Sequence, residues 1–279
     1  MKYSNPRIPE GINTSQTHPL ADFALLGGGA LVLVALVIAG VSFAAGWAAS
    51  LVPYRWEADL MNASEEQDAS AELLFEDAAE LEPQRAHLQA LADALAAYQE
   101  LPEGMRPVIH VVDETARNAY ATLGGHIVIF TGLLEDLPNE NALAMVLAHE
   151  IAHLRHRDPI TSAARSASVA LAFGLITGAS DIHGLRSLAG ISSSAALTAF
   201  SRSQETRADA DAIASVAAHY GHVVDADWLF REATRHAGSP LQTFFTTHPL
   251  DADRVRALED AARGAGWARE GETTPLPVW

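Results

Sequence analysis

The chain contains no cysteine among its 279 residues. Disulfide staples and thiolate metal ligands are therefore both excluded, and any metal must be held by His, Asp or Glu. Basic residues are scarce as well: 18 Lys and Arg stand against 35 Asp and Glu, a formal net charge of −17 with a pI near 5.0. No basic cluster interrupts this balance, which argues against a nucleic-acid partner, because phosphate binding needs grouped Lys and Arg. No internal repeat stands out. The length is enough to bury a real core, in one large domain with appendages or in two small ones.

One absence is local. "FALLGGGALVLVALVIAGVSFAAGWAASLVPY", residues 23–54, carries no charged residue and is bracketed by Asp22 and Arg55. A helix rising ~1.5 Å per residue needs about 20 apolar residues to cross a bilayer, and this run exceeds that. It reads as one retained transmembrane helix after a polar tail over 1–22, too extended for the apolar core of a signal peptide. Trp47, Tyr54 and Trp56 gather at its far end, where amphipathic rings favour the headgroup layer. Lys2 and Arg7 precede the span and Arg55 alone follows closely, so the positive-inside bias puts the N-terminus in the cytoplasm. The expected location is a bacterial-type inner membrane, with the bulk of the chain on the periplasmic side.

Residues 55–83 form an acidic linker or helical segment, 84–265 the main domain, and 266–279 a loose C-terminal tail. Within the main domain, "RAHLQALADALAAY" (85–98) repeats Leu88, Leu91, Leu95 and Tyr98 at helical spacing. "PVIHVVD" (107–113) and "GGHIVIFTG" (124–132) read as short strands from their β-branched content and flanking Gly and Pro. A helix of about five turns follows over 138–159, with Asn139 as its N-cap and Pro159 biasing the chain to leave or restart helix. Small-residue helices are expected within 160–220, and further helices near 225–236 and 251–263. The fold class is α+β, mainly helical, with a small sheet.

The 138–159 helix contains "HEIAH". On a helix, residues four apart share a face, so His149 and His153 can converge on one zinc ion. His156 lies on the same face but roughly 10 Å further along the axis, too far for one ion with bonds near 2 Å, and reads as a helix-end residue. Glu150 follows the first histidine and reaches a water on the zinc without being a ligand. There its carboxylate takes a proton and delivers it to a leaving amine, which is peptide hydrolysis. The flanking "ALAMVLA" and "IA" are apolar, so the helix is buried, where unpartnered histidines are costly. A third ligand comes from "FSRSQETRADADAIA" (200–214): Glu205 faces the zinc, and Asp209, one turn on, accepts the free ring N–H of His149 or His153.

"HEIAHLRHRD", "FSRSQETRADADA" and "TTHPLDADR" (246–254), in this order, resemble the HtpX heat-shock protease and CAAX prenyl protease family of zinc metallopeptidases. "NAYATLGGHIVIFTGLLE" (118–135) is similar to that family's Asn-Ala and Gly-Gly-strand signature. The resemblance covers 118–254 and implies a gluzincin-type metallopeptidase domain holding one zinc ion per chain. His149, His153 and Glu205 would be its ligands and Glu150 its base. It also implies that the 124–131 strand, with Gly125, His126, Ile127 and Val128, is the rim on which an extended substrate pairs. Members of the HtpX type carry additional membrane helices, and the prenyl proteases enclose their site in a seven-span chamber. Here one span is clear, and the uncharged segments 166–180 and 187–201, each 15 residues long, fall short of a crossing. They read as buried or membrane-facing helices of a singly anchored, protein-degrading branch.

Pro249 restricts His248 to extended geometry, so His248 sits on a loop free to approach the cleft opposite the 138–159 helix. There it either donates a hydrogen bond to the developing oxyanion or swings onto the open zinc position and blocks it. Arg254 steadies that loop through a nearby carboxylate. The expected function is endoproteolysis of unfolded or misassembled envelope proteins, with protein or peptide substrates and the bilayer as partners. The alternative is a latent protease that acts as a chaperone on extended segments. Oligomeric state is not readable.

Overall fold

A computed structural model describes residues 19–67, 79–177, 200–235, 240–250 and 252–278. The described residues fall into two compact units, divided after residue 41. The described part of the first is the beginning of helix α1 (Pro19–Ser50), whose apolar side chains, Phe23 and Leu31 among them, are exposed. The whole helix is long and apolar enough to cross a bilayer. Lys2 and Arg7, on which the orientation rests, lie outside the described residues.

The second unit is mainly helical around a three-stranded sheet. After α1 come α2 (Tyr54–Gln67) and α3 (Glu82–Ala96), then β1 (Val108–Val112), β2 (Ala119–Ala121) and β3 (His126–Phe130). Helices α4 (Thr131–Asp136), α5 (Glu140–Arg155), α6 (Asp158–Thr177), α7 (Arg202–Tyr220), α8 (Trp228–Arg235) and α9 (Ala252–Ala265) complete the order, with a single helical turn at Phe244–Thr247. Core residues come from α3, all three strands, α5 and α7. Every residue of α5 from Asn141 to Leu154 is buried, as expected of a helix that is apolar nearly all round. Removing a side chain such as Leu147 or Ile151 from that core would cost about 3 kcal/mol. Asn139 caps the helix, its side chain accepting from the Ala142 amide at 3.0 Å.

β3 pairs in parallel with β1 on one side and antiparallel with β2 on the other, so it is the centre of the sheet. This corrects the expected rim. Gly125 precedes β3 in a tight turn, and His126, Ile127 and Val128 have strands on both flanks, leaving no free backbone edge for a substrate. "HIVIF" is a continuous apolar run, the signature of a strand buried on both faces rather than one at an edge. The edge beside α5 is β2, a strand of only three residues.

The structure departs from expectation in three further places. Tyr54, expected in an interfacial aromatic belt, is turned inward and its hydroxyl donates to the Gly124 carbonyl at 2.8 Å, while Trp47 and Trp56 remain exposed. Residues 166–177 of the 166–180 segment lie in α6, a helix of 20 residues, so length no longer excludes a crossing, and 178–180 fall outside the described residues. Val169, Leu171, Phe173, Leu175 and Ile176 of α6 are exposed. Of the 187–201 helix, only Phe200 and Ser201 fall within the described residues. Finally, the tail is held at Thr274: the Glu140 amide donates to the Thr274 carbonyl and the Thr274 amide to Asn141 Oδ1, both at 2.9 Å. The tail thus satisfies a free donor at the N-terminus of α5.

Candidate metal centre

α5 and α7 pack face to face, with the small Ala208 and Ala212 of α7 fully buried. Close approach of the backbones brings the four-residue pairs on each helix together. His149 and His153 project from α5, and Glu205 and Asp209 from α7; all four are buried. A third imidazole, His248, enters from the end of the Phe244–Thr247 turn, where its backbone leaves helical geometry before Pro249. One ligand atom each from His149, His153, Glu205 and His248 lies within 4.8 Å of the others.

Inside this cluster, ring nitrogens and one carboxylate crowd around a common point. The Nε2 atoms of His149 and His153 face each other at 3.0 Å, and His248 Nδ1 stands 3.2 Å from His149 Nε2. Glu205 approaches His149 Nε2 at 3.4 Å and His153 Nε2 at 3.5 Å. Facing ring nitrogens repel unless a proton or a metal cation lies between them, and nitrogen and carboxylate ligands converging this way fit a metal ion. The local field points the same way. Burial alone would lower the His149 pKa, but the Asp209 and Glu205 carboxylates outweigh it and raise it to about 10. His153 is likewise raised against its burial, by Asp158 and Glu205. Burial would raise Glu205, yet the surrounding imidazoles hold it far below the usual carboxylate range. The cavity is built to stabilise positive charge.

Around the cluster, the second ring nitrogens are taken up. His149 Nδ1 meets Asp209 Oδ1 at 3.0 Å, and His153 Nδ1 meets Asp158 Oδ2 at 2.9 Å, contacts that fix tautomer and ring angle. Arg254 grips both Asp209 oxygens, at 2.7 and 2.8 Å, pairs with Glu205 at 2.8 Å, and donates to the carbonyls of His248 and Pro249. Asp209 is accordingly held low despite burial. Asp158 is a site residue that the sequence pattern does not single out. It lies just past the α5–α6 break, in the "HRDP" stretch, and is itself held by Gln204 at 2.8 Å. His156 stands apart at the C-cap of α5, bonded to Asp211 at 2.7 Å.

Glu150 lies between the cluster and the sheet. Its Oε2 accepts the Ala121 amide at 2.7 Å, while its Oε1 and His248 Nε2 face each other at 3.4 Å without a hydrogen-bond partner among the described residues. The Thr122 amide donates to the His126 carbonyl and the Phe130 amide to the Asn118 carbonyl, so residues 118, 120 and 122 turn toward β3. By the alternation of an antiparallel ladder, Ala119 and Ala121 turn their amides and carbonyls away from it, toward Glu150 and the cluster. Sequence reasoning missed this edge because three residues are too few to show a two-residue period.

The model of Peptidase family M48 matches residues 82–262. Among similar proteins are a protein named "Protease HtpX homolog" from Burkholderia mallei (strain SAVP1) and one of the same name from Burkholderia pseudomallei (strain 668). Each is 28% identical over 280 residues, covering 86% of this chain and 90% of the relative. Matched by the family's model over most of its length, with a buried His and Glu cluster where a metal fits, the chain belongs to peptidase family M48 and is a metallopeptidase of the HtpX type.

Proposed function

We propose that the protein is a membrane-anchored zinc endopeptidase that cleaves unfolded or misassembled envelope proteins. The observation that carries this reading is the position of Glu150, one side toward the His149, His153 and Glu205 cluster and the other on the β2 amide edge. His149, His153 and Glu205 hold the zinc ion, one per chain, because nitrogen and carboxylate donors without thiolate are a common catalytic set. Zinc supplies Lewis-acid polarisation and acidifies water. Glu150 acts as general base, taking the proton of the attacking water and passing it to the leaving amine. Asp209 and Asp158 orient the two imidazoles, and Arg254 holds Asp209, Glu205 and the His248 carbonyl in place.

An extended substrate pairs with the outward amides and carbonyls of Ala119 and Ala121, displacing Glu150 from the Ala121 amide. Backbone pairing of this kind selects for unstructured chain rather than for a particular side chain, which supports unfolded proteins as substrates. α1 anchors the catalytic unit, as a single crossing, to a bacterial-type inner membrane; the charge bias of Lys2 and Arg7 over Arg55 supports the periplasmic side.

The purified chain in detergent is the sample that tests this. It should carry one zinc ion and degrade an unfolded reporter protein, whereas Glu205→Ala should lose most of its zinc on dialysis. Zinc retained in full by Glu205→Ala removes it from the ligand set. His248 acts as a donor to the oxyanion, from beside Glu150. Its Nδ1, 3.2 Å from His149 Nε2, favours a second reading as a fourth ligand that keeps the enzyme latent. His248→Ala separates the two: a lost donor lowers kcat about a hundredfold with zinc unchanged, and a lost plug raises basal cleavage. Unchanged kinetics excludes both.

A further inference from the structure

Helix α2, which comes directly after the apolar α1, carries Tyr54, Glu57 and Met61 three and four residues apart, hence on one face. All three converge on one glycine. The Tyr54 hydroxyl donates to the Gly124 carbonyl at 2.8 Å, and the Gly124 amide donates to Glu57 Oε1 at 2.9 Å. A Cβ built at Gly124 would meet Met61 Cγ at 3.0 Å. Gly124 has φ 75° and Gly125 φ 85°, and a Cβ at Gly125 would meet the Arg106 carbonyl oxygen at 2.7 Å and the Tyr54 hydroxyl at 3.1 Å. Both positions require glycine on backbone and on space. The turn they form connects β2 to β3, so what holds Gly124 also determines where β2 lies against Glu150.

The other Glu57 oxygen runs to a second part of the site. Glu57 Oε2 pairs with Arg157 Nη1 at 2.8 Å, and Arg157 Nη2 donates to the Val52 carbonyl at 2.8 Å. Both residues are buried, at 3% and 8% exposure. A buried ion pair is weak evidence of stabilisation, and fixing one geometry is its best-attested use. Arg157 occupies the break between α5 and α6 with φ 60°, a conformation that non-glycine residues hold only where surroundings enforce it. The next residue, Asp158, is the one that meets His153 Nδ1.

We propose that α2 is a positioning element of the catalytic site. Tyr54 and Glu57 hold the Gly124 turn so that β2 lies in register beside Glu150, and the Glu57–Arg157 pair ties that turn to the helix break that presents Asp158 to His153. This rests on β2 as the substrate strand. Tyr54 and Glu57 touch no substrate; they act through the backbone they hold.

The test uses the full chain in detergent, with Tyr54→Phe, which removes one hydroxyl, and Glu57→Gln, which keeps the shape and removes the charge. Tyr54→Phe should raise KM for a quenched-fluorescence peptide about fivefold, with kcat within about twofold and zinc content unchanged. Amide exchange over 121–126 should accelerate by a similar factor. Glu57→Gln should show the same changes and, in addition, release zinc faster to a chelator. A lowered melting temperature with unchanged KM and unchanged exchange at 121–126 in both variants would overturn the proposal, because stability alone would then account for the contacts. The exchange measurement needs no turnover, so a wild-type chain that cleaves nothing would refute the endopeptidase reading while leaving the positioning role open to the same assay.

Discussion

At the scale of single residues, the geometry divides into what periodicity reveals and what it hides. His149, His153, Glu205 and Asp209 are legible because each pair is four apart on a helix, and two helices with small residues between them must bring such pairs together. Asp158 is hidden. It reaches His153 across a helix break, and no period spans a residue at φ 60°. Because it is buried and fixes the ring through Nδ1, Asp158→Ala should weaken zinc affinity about 10- to 100-fold by chelator competition. Asp158→Asn, which keeps an acceptor oxygen, should recover most of that loss. Equal affinity of the alanine variant and wild type would mean that the His153 contact does not serve the metal. Tyr54 illustrates the converse error: its place after a long apolar run suggests a headgroup contact, but a partner 70 residues away takes its hydroxyl, and no local pattern encodes such a pairing.

At the scale of elements, long helices are readable and the short edge strand is not. α3 announces itself by apolar spacing, and α5 by its apolar flanks and its Asn139 cap. β2 has three residues and draws its strand identity wholly from β3, so apolar patterning points for the rim to the longer, more apolar neighbour. The sheet has its own pH signature. On β3, burial and then the neighbouring His110 lower the His126 pKa from 6.5 to about 4, and the two rings share a 2.8 Å hydrogen bond. Between those values the unfolded chain binds a proton that the folded chain does not, so stability is complete above pH 6.5 and is lost as pH falls toward 4. Thermal melts between pH 7 and 4.5 should therefore show a shallower acid slope for His126→Gln than for wild type. Parallel slopes would mean that His126 is not held neutral by the fold.

At the scale of the whole molecule, the buried arginines among the described residues serve structural tasks: Arg254 at the carboxylates of α7, and Arg157 between α2 and the α5–α6 break. α1 is apolar and exposed, and α6 is a second helix with the length and composition to cross. A reporter fused after residue 279 should behave as exported if α1 alone crosses with the charge bias observed; cytoplasmic reporter activity would reverse that orientation. On the proposed reading, Glu150 moves the proton in a zinc-dependent hydrolysis while taking no part in holding the metal. The most direct measurement is zinc content and turnover of an unfolded reporter protein, wild type against Glu150→Gln. Equal zinc is expected in both, with a loss of at least about a hundredfold in turnover for the variant. Turnover preserved in Glu150→Gln, or zinc lost with it, would contradict the assignment.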